Sequence, residues 1–431
     1  MSQLLEPFRE AYRNMQLLPL LEESELEKFW VEYGTETMEE LEQLVEDSPY
    51  NNSKIIFAGH RGCGKSTLLA KFGRKMADRY FVVLFSISDS IEMSDVNHIN
   101  ILFAIAVRLM EEADKQKINI KSSIKEEFYK WFAKHTRTEI KQFKAETSAG
   151  FDLFEIIAGK LKADANLRDE IKQEFGKKIS DLINRINEIA AVVQNASRKD
   201  VLVVIDDLDK IDLGVARQVY EENVKALFQP NFTIIFTVPI SALREVRMAG
   251  TLVAETNDQI LTLPVSKLFK QGESRIPNSV PIPEPTAILT DVMYKRISQD
   301  LIEPEIVKKI VIYSGGVLRE LVRITNQCCR ICLRLIRRQP DDLEIKINAE
   351  VLQEAITNIR IDFDTRIGSA DYAVLKETYQ NFQPNDSKEQ RFLDLLHALY
   401  VLEYRNSDGW YDIHPIVTEL LQRKGIIMDN G

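Results

Sequence analysis

The sequence contains few cysteines and no long apolar run, and both absences exclude classes of protein. Four of its 431 residues are cysteines, and three of these are clustered as Cys328, Cys329 and Cys332. So few cysteines do not provide the disulfide framework of a small secreted scaffold, and they suit a reducing compartment. No stretch approaches the ~20 apolar residues that a membrane-spanning helix needs. Because Glu6 and Glu10 also stand where a signal peptide needs positive charge and a continuous apolar core, we expect a soluble, cytoplasmic protein without a membrane partner.

The composition is that of a folded acidic protein whose charge is unevenly distributed. Hydrophobic residues make up 45% and charged residues 28% of the chain, which excludes disorder as its main state, and the formal net charge is −10. Segment 115–145 nevertheless contains nine basic and three acidic residues, so its net charge is +6 and that of the remainder is −16. Residues 361–431 contain twelve acidic and seven basic residues, a net charge of −5. This distribution, rather than the average, determines which partners each part of the chain attracts.

A phosphate-binding motif is the strongest signal in the sequence. The apolar run Ile55–Ala58 predicts a buried strand, and the residues that follow, GHRGCGKS, match the pattern G-x4-G-K-[ST] before an apolar helix start. In this pattern the glycines let backbone N–H groups point at phosphate oxygens, the lysine reaches the β- and γ-phosphates, and the serine binds Mg²⁺. The sequence therefore predicts a nucleotide site formed by Gly59, His60, Arg61, Gly62, Cys63, Gly64, Lys65, Ser66 and Thr67.

A second motif, VLVVIDDLDK, provides acidic residues at the end of another strand. The five apolar residues Val201–Ile205 predict a strand buried on both faces, as parallel sheets require. Asp206 follows this strand and is predicted to coordinate Mg²⁺ together with Ser66. Asp207 occupies the position where many ATPases have a glutamate that polarises the attacking water, and an aspartate is one methylene shorter. An alternative remains open, in which Asp207 and Asp209 only cap the following turn.

With these two motifs, the chain resembles the AAA+/STAND branch of P-loop ATPases, over residues 25–420. FTIIFTVP at 232–239 resembles the strand that ends in the polar sensor-1 residue, here Thr237, and a plain strand-end threonine is the alternative. YSGGVLRELVRI at 313–324 is similar to the sensor-2 motif of the initiator-like clade, so the resemblance implies that Arg319 reaches the γ-phosphate. It also implies ATP and Mg²⁺ as cofactors, with Asp207, Thr237 and Arg319 as catalytic residues.

The helix that begins after Gly316 has an arginine face and an apolar face. At 100° per residue, one side contains Arg319, Arg323, Arg330, Arg334 and Arg337. Cys328 and Cys332 lie on the other side, among apolar residues and without a histidine or acidic neighbour, so we expect core cysteines rather than metal ligands. The arginines beyond Arg319 could face phosphate, an acidic partner or solvent.

The length suggests two or three domains at ~150 residues each, and the patterns divide the chain into four parts. We predict an α/β fold with a P-loop NTPase parallel-sheet core at 51–276, preceded by a helical segment at 1–50. A proline-rich stretch at 278–289 predicts an extended linker. A helical lid that contains Arg319 is predicted at 286–360. A small winged-helix-like domain is predicted at 361–431, where ALYVLEYRN and GWYDI form two strands around a hairpin turn.

The core contains a charged helical insertion at about 115–199, which includes one long amphipathic helix predicted at 166–193. Its basic part interleaves lysines with Phe128, Tyr129, Trp131 and Phe132, a mixture that suits contact with nucleic acid or an acidic protein. The alternative is that these aromatic residues form the buried face of a helix. For the winged-helix-like domain, the charge of −5 favours a protein contact over docking on DNA.

The leading hypothesis is an ATP-binding and hydrolysing regulatory switch that couples nucleotide state to oligomerisation and to a partner protein. Such a role is compatible with bacterial signalling or defence. The AAA+ resemblance implies an arginine donated by a neighbouring subunit, for which Arg244, Arg247 and Arg275 are candidates. A DNA-engaged loader or remodeller that uses segment 115–145 and the arginine face is the alternative. A module that binds ATP without hydrolysing it is a third hypothesis.

Overall fold

The computed structural model describes residues 3–136, 153–405 and 409–428. Its strands are β1 (Lys54–Gly59), β2 (Tyr80–Ser86), β3 (Asp200–Asp206), β4 (Thr233–Pro239), β5 (Ile260–Leu263), β6 (Val401–Arg405) and β7 (Gly409–Ile413). Strands β1 to β5 form one sheet, and β6 and β7 form a separate hairpin.

Helices account for most of the remaining described chain. In the N-terminal half they are α1 (Leu5–Asn14), α2 (Glu23–Phe29), α3 (Thr35–Glu46), α4 (Lys65–Met76), α5 (His98–Lys115), α6 (Ser122–His135), α7 (Leu153–Ala163), α8 (Ala165–Phe175) and α9 (Ile179–Ser197). In the C-terminal half they are α10 (Leu213–Arg217), α11 (Val224–Leu227), α12 (Val246–Thr256), α13 (Pro283–Tyr294), α14 (Pro304–Tyr313), α15 (Leu318–Arg338), α16 (Ala349–Asp364), α17 (Ser369–Asn381), α18 (Gln390–His397) and α19 (Pro415–Arg423). Among the described residues, none of these helices has the length and apolar character that crossing a bilayer requires.

The chain is divided into two compact units, each built from separate stretches of sequence. The sheet unit comprises Glu36–Ala58 and Leu69–Thr262, and the lid unit comprises Met1–Thr35, Gly59–Leu68 and Leu263–Gly431. The predicted division into four domains stays a prediction.

The sheet unit confirms the predicted α/β fold with a P-loop NTPase core. Its strand order is β2-β3-β4-β1-β5, and β3 pairs in parallel with β2 and with β4. Strands β1 and β4 are buried along their whole length, and β3 is buried from Val201 onward. Continuous apolar runs form these strands because a parallel sheet covered by helices leaves neither face in contact with water. Strand β4, which contains Thr237 near its end, therefore lies between β1 and the strand that ends in Asp206.

The insertion confirms the buried alternative for two of its aromatic residues. Phe128 and Phe132 on α6 are buried. Trp131 stacks on Phe103 of α5, with 5.8 Å between ring centroids, and also packs against Phe175. Helix α6 therefore turns aromatic side chains toward the unit's interior. The part of the basic segment at 137–145 lies outside the described residues.

The single long helix predicted at 166–193 is wrong, because the structure contains two helices there. Helix α8 ends at Phe175, where the Gly176 N–H donates to the carbonyl of Lys172, and α9 begins at Ile179. Lys178 between them has φ −141° and ψ 46°, which is not helical. Both Phe175 and Leu182 are buried, so the break lets each helix turn its own apolar face inward.

The extended linker predicted at 278–289 is also partly wrong, because α13 begins at Pro283. A proline is tolerated in the first turn of a helix, where its missing N–H has no intrahelical partner to lose. Pro283 and Pro285 both lie in this first turn.

The lid unit contains α15, whose two faces are those predicted. Cys328, Cys329 and Cys332 are buried on the apolar face, and burial raises the pKa of the Cys332 thiol to about 12, which suits core cysteines.

The hairpin of β6 and β7 is antiparallel and pairs Val401 with Ile413, so the two predicted strands are confirmed. The turn predicted at 406–409 falls largely outside the described residues, which omit 406–408 and resume at Gly409 of β7.

Candidate nucleotide-binding site

The phosphate loop connects β1 to α4 and folds around its own lysine. The Lys65 ammonium is buried, and it donates to the carbonyl oxygens of Gly59 at 3.0 Å and His60 at 2.9 Å. Gly62 and Gly64 have φ of +82° and +97°, backbone conformations that L side chains rarely adopt. The loop therefore has the curled backbone that the G-x4-G-K-[ST] pattern predicts.

Arg319 lies directly against this loop within the lid unit. Its backbone N–H donates to the Gly62 carbonyl at 3.0 Å, and a Cβ added at Gly62 would stand 2.3 Å from the Arg319 Cβ. The glycine is required here because two backbones approach so closely. The structure thus brings together two residues that the sequence separates by more than half of its length, and it leaves the contact of Arg319 with phosphate as a prediction.

The N-terminal segment also contacts the loop and the start of α4. The Tyr33 hydroxyl donates to the Gly64 carbonyl at 3.0 Å, and the backbone N–H of Leu20 donates to Thr67 Oγ1 at 3.0 Å. Thr67 is buried, so its predicted part in nucleotide binding coincides with an anchoring role for the N-terminal segment. Sequence patterns around Tyr33 gave no sign of this hydrogen bond.

A third contact comes from the hairpin, and sequence reasoning missed it. The backbone N–H of Glu403, on β6, donates to Nε2 of His60 at 2.9 Å, and both residues are buried. Because Nε2 accepts this hydrogen bond, it carries no proton in this arrangement. The only available signal was a histidine inside the phosphate-loop motif, and that does not identify its partner.

Two arginines give this part of the lid unit a positive character suited to polyphosphate. Nε of Arg61 is buried in the loop and has no acceptor among the described residues, so an anionic oxygen would satisfy it. Arg296 donates to the carbonyl of Val292 at 2.9 Å, and burial lowers its pKa to about 10, an effect that Tyr33 partly opposes. Arg296 therefore remains a cation at neutral pH. The loop residues present fit the phosphates of a nucleotide.

In the sheet unit, three carboxylates form a cluster at the end of β3. Oxygen atoms of Asp206, Asp207 and Asp209 lie within 4.8 Å of one another, and all three residues are buried. Oxygen ligands of this kind are those that Mg²⁺ prefers. The cluster fits a divalent cation, so Asp206 remains the candidate metal ligand. Asp209 is a possible further ligand that the sequence interpretation assigned to capping alone.

Asp207 already has several partners in the sheet unit. Its carboxylate accepts from Ser86 Oγ at 2.7 Å and Ser88 Oγ at 3.1 Å, and it pairs with Lys210 at 2.5 Å. Burial raises the pKa of Asp207, but Lys210 and the two hydroxyls lower it more, so the net pKa is below its ordinary value. Its φ of +68° is unusual for a residue with a side chain. The carboxylate is therefore charged and held in place, while its lowered pKa makes it a weaker base than an ordinary aspartate. Its role as the acceptor of a water proton stays a prediction.

Thr237 links the ends of β3 and β4. Its hydroxyl donates to the Ile205 carbonyl at 3.1 Å and accepts from the Leu208 N–H at 3.0 Å. Since Thr237 is fully buried and its single hydroxyl proton is used, it positions the turn that contains Asp206 and Asp207. Its predicted sensor role is not tested by these contacts.

The three candidate trans-acting arginines have different surroundings. Arg275 pairs with Asp412 at 2.7 Å and is largely enclosed, with a side chain that is 16% exposed. Arg244 donates to the carbonyl of Leu243, and Arg247 is exposed at the start of α12. Of the three, Arg247 has the exposure that contact with a second subunit requires.

The basic surfaces considered for DNA contain intramolecular ion pairs. On the arginine face of α15, Arg323 pairs with Asp362 at 3.0 Å and Arg334 pairs with Glu354 at 2.6 Å. On α6, Lys130 pairs with Glu126 at 2.9 Å. These acidic partners lower the net positive potential available to a nucleic acid.

Comparison with known proteins places a P-loop domain in the first part of the chain. Residues 36–244 match the KAP family P-loop domain. No curated protein matches this sequence significantly. The matched region includes both the phosphate loop and the acidic cluster after β3, so it supports nucleotide binding with a divalent metal.

Similar solved structures cover nearly all of the chain at low identity. Cdc6p from Pyrobaculum aerophilum is 11% identical, with coverage of 93% of this chain and 97% of that one and a TM-score of 0.40. The Thermotoga maritima RuvB Holliday junction branch migration motor is 13% identical, with coverage of 94% and 99% and a TM-score of 0.39. The Aeropyrum pernix Orc1 protein in complex with DNA is 12% identical, with coverage of 97% of both chains and a TM-score of 0.39. Similarity at this level does not extend to function.

Proposed function

We propose that this chain is an ATP-dependent regulatory switch whose phosphate loop transmits nucleotide state to the lid unit. The observation that supports the proposal is the anchoring of one short loop by three distant segments. Tyr33, Arg319 and Glu403 contact Gly64, Gly62 and His60, respectively. Any movement of the loop must therefore change its contacts with the N-terminal segment, with α15 and with the hairpin.

Lys65 is the residue through which phosphate would act on the loop. In the described arrangement its ammonium donates to two carbonyl oxygens of the same loop. We propose that phosphate oxygens replace these carbonyls when ATP binds, because an anionic acceptor forms a stronger hydrogen bond with an ammonium than a neutral carbonyl does. The released carbonyls of Gly59 and His60 must then reorient, and His60 is hydrogen-bonded to β6.

The residues proposed for hydrolysis are those at the ends of β3 and β4 together with Arg319. Ser66 and Asp206 would hold Mg²⁺, which when bound neutralises charge on the phosphates. Asp207 accepts a proton from the attacking water, Thr237 positions the turn that presents it, and Arg319 stabilises negative charge on the γ-phosphate. We expect slow turnover, since the Asp207 carboxylate must keep or exchange its bonds to Ser86, Ser88 and Lys210 while it contacts water.

The regulatory output of the switch is proposed to be a protein contact. The winged-helix-like region at 361–431 has a net charge of −5, and its β6 strand is hydrogen-bonded to the phosphate loop. A STAND-type mechanism, an oligomeric active form and a role in bacterial signalling or defence all belong to this proposal. DNA engagement is less well supported, because acidic neighbours already pair with the lysine and arginine side chains described above.

Binding of MgATP to the Lys65→Ala variant tests the site. Removing the ammonium deletes the loop's phosphate-reaching cation, so the dissociation constant should rise by at least about 100-fold, the equivalent of one or two charge-assisted hydrogen bonds. Lys308→Ala, which removes a largely exposed lysine of α14, is the matched control and should bind like wild type. Unchanged affinity in Lys65→Ala, with Lys308→Ala normal, would place ATP elsewhere.

Hydrogen exchange of β6 tests the switch separately from the site. MgATP should change amide exchange at Glu403 in wild type, and the change should disappear in His60→Ala, which lacks the acceptor. His397→Ala on α18 removes a histidine that has no role in the loop and should retain the response. A response that persists in His60→Ala would contradict transmission through this hydrogen bond while leaving ATP binding intact.

A further inference from the structure

Residues Gln218–Glu222 form a π-helical turn directly after α10 in the sheet unit. Wide turns of this kind are rare in proteins, and they are found frequently at functional sites. The turn contains Tyr220, whose side chain is fully buried. Its sequence, QVYEE, belongs to none of the motifs that predict the nucleotide site. The contacts of Tyr220 nevertheless connect it to the acidic cluster after β3.

The Tyr220 hydroxyl donates a hydrogen bond to the backbone carbonyl of Thr237 at 3.2 Å, near the end of β4. Burial, with the negative charge of Asp209 adding to its effect, raises the pKa of Tyr220 well above its ordinary value. The phenol therefore keeps its proton at neutral pH and remains a donor. The influence of Asp209 on this pKa also indicates that the phenol lies near the acidic cluster.

Thr237 connects this hydrogen bond to the residues of the cluster. Its hydroxyl donates to the Ile205 carbonyl at 3.1 Å and accepts from the Leu208 N–H at 3.0 Å. These two backbone groups stand on either side of Asp206 and Asp207 in the chain. A single hydroxyl therefore fixes the backbone both before and after the two aspartates, and a shift of Thr237 would move both.

The π-helical turn is itself held by its surroundings in the sheet unit. It packs against α10, α11 and α12. The Tyr220 ring also meets the Phe236 ring of β4 edge to face, with 6.5 Å between the ring centroids and 84° between the ring planes. Because helices hold the backbone of the turn and a strand residue holds the ring, the hydroxyl is fixed in its direction toward Thr237.

We propose that Tyr220 is a positioning residue for the metal site, whose hydroxyl holds Thr237 and, through it, the turn that contains Asp206. The inference rests on the proposed function, because it gives Tyr220 a part in the same reaction. Tyr220 acts through Thr237 and not by contact with the cation. Loss of a group that orients a metal ligand typically lowers metal affinity or activity by about 10–100-fold, so removal of this one hydroxyl has a measurable effect.

Tyr220→Phe tests the positioning in the full chain without nucleotide, since it keeps the ring and removes the donor. Amide exchange of the segment 206–210, measured by mass spectrometry, should become about tenfold faster, because the hydrogen bond from Leu208 to Thr237 opens more often. Exchange in α5 of the same unit should stay as in wild type, which separates a local effect from a general loss of stability. Unchanged exchange at 206–210 would overturn the proposal.

Tyr400→Phe is the matched control for this measurement. Tyr400 is also a buried phenol that donates to a backbone carbonyl, that of Phe363 at 3.0 Å, and it belongs to the lid unit. Exchange at 206–210 in this variant should equal that of wild type. An equal acceleration in Tyr400→Phe and Tyr220→Phe would contradict a specific role of Tyr220.

The magnesium dependence of ATP hydrolysis tests the consequence for the reaction. In Tyr220→Phe, the Mg²⁺ concentration that gives half of the maximal rate at a fixed ATP concentration should rise about tenfold. The KM for ATP at saturating Mg²⁺ should change less than twofold. A merely structural role would lower the amount of active protein without changing the Mg²⁺ requirement, so an unchanged requirement would count against the proposal.

A double-mutant cycle tests the route through Thr237. Thr237→Val removes the hydroxyl that holds the turn. If Tyr220 acts through Thr237, exchange at 206–210 in the double variant should be no faster than in Thr237→Val alone, whereas effects that multiply would contradict this route. The cycle needs no ATPase activity. A wild type that binds ATP without hydrolysing it would therefore contradict the proposed hydrolysis, while the exchange measurements still decide on Tyr220.

Discussion

The glycines of the phosphate loop are fixed by their neighbours as much as by their own backbone angles. A Cβ added at Gly64 would lie 2.2 Å from the Tyr33 hydroxyl, and φ at this position is +97°. By contrast, a Cβ added at Gly250 on α12 would meet nothing within 4 Å. The same substitution therefore has opposite consequences at the two positions.

Gly64→Ala should lower the free energy of unfolding by about 1–3 kcal/mol through backbone strain and displacement of Tyr33. It should also weaken MgATP binding, because the loop cannot keep its curvature. Gly250→Ala should instead be neutral or stabilising by up to about 1 kcal/mol, since alanine favours a helix interior. Urea unfolding and MgATP titration measure both effects. Equal stability of the two variants would contradict the close approach of Tyr33.

Asp207 is the residue at which catalysis and structure are hardest to separate. Asp207→Asn keeps the shape but removes the charge, so kcat should fall by about 100-fold or more if the carboxylate accepts the water proton. The KM for ATP should change little. Ser88→Ala, which removes one hydrogen bond to the same carboxylate, should reduce kcat much less. A full kcat in Asp207→Asn would favour the capping role or another base.

At the scale of secondary structure elements, the hairpin and α19 surround a histidine that must stay neutral. His414 is fully buried, its Nδ1 accepts from the Ile416 N–H at 3.2 Å, and Glu320 lies 3.8 Å from its Nε2. Burial, assisted by Arg323, lowers the pKa of His414 to about 3, from 6.5 in the unfolded chain. Between these two values the unfolded chain binds a proton that the folded chain does not. Stability therefore falls as pH falls through this range.

The expected slope is about 1.4 kcal/mol per pH unit below pH 6.5. His414→Asn preserves a capping acceptor for α19, but the asparagine does not titrate. The free energy of unfolding of this variant should therefore fall less between pH 7 and pH 5 than that of wild type. Urea unfolding at several pH values measures the difference between this variant and wild type. His397→Asn should follow wild type. A parallel pH profile for His414→Asn would contradict neutral burial of His414.

The elements differ in how far the sequence could predict them. Strands β1, β3 and β4 were predictable because continuous apolar runs have few alternatives in an α/β protein. The break between α8 and α9 was not, because amphipathic periodicity continues across Gly176, and the non-helical backbone of Lys178 is visible only in the structure. The helical start at Pro283 was missed for a similar reason, since proline disrupts helix interiors but not first turns.

Only the site residues that belong to recognisable sequence motifs could be predicted. The phosphate loop and Asp206 follow from residue types at defined spacing, whereas the role of Arg319 was implied by the family resemblance and stays a prediction. The hydrogen bond from Glu403 to His60 joins residues 343 positions apart, and the partner is a backbone N–H that has no residue signature. The packing of the Arg275 guanidinium against the rings of Tyr379 and Phe382 likewise depends on the tertiary structure. Sequence thus indicated which chemistry to expect, while the contacts that constrain it required coordinates.

At the scale of the whole molecule, the net charge of −10 is the sum of parts that differ in charge and in the partners they favour. The remainder outside 115–145 has a net charge of −16, which disfavours nucleic acid. Within that segment Lys115, Lys125 and Lys130 pair with acidic neighbours. A protein or a second copy of the chain is then the better partner for a nucleotide-dependent change. The exposed Arg247 on α12 is the residue most suited to act across such a contact.

Arg247→Ala should leave MgATP affinity within about twofold of wild type but reduce kcat by about 10³-fold, if the arginine completes the site of a neighbouring subunit. The reason is that an arginine acting in trans stabilises charge in a neighbouring subunit's site and does not bind the nucleotide of its own subunit. Mixing Arg247→Ala with Lys65→Ala should restore part of the activity, because each mutant lacks a different half of a shared site. Arg217→Ala, on α10, is the control. Unchanged oligomeric state with MgATP in light scattering, together with full activity of Arg247→Ala, would contradict assembly through this residue.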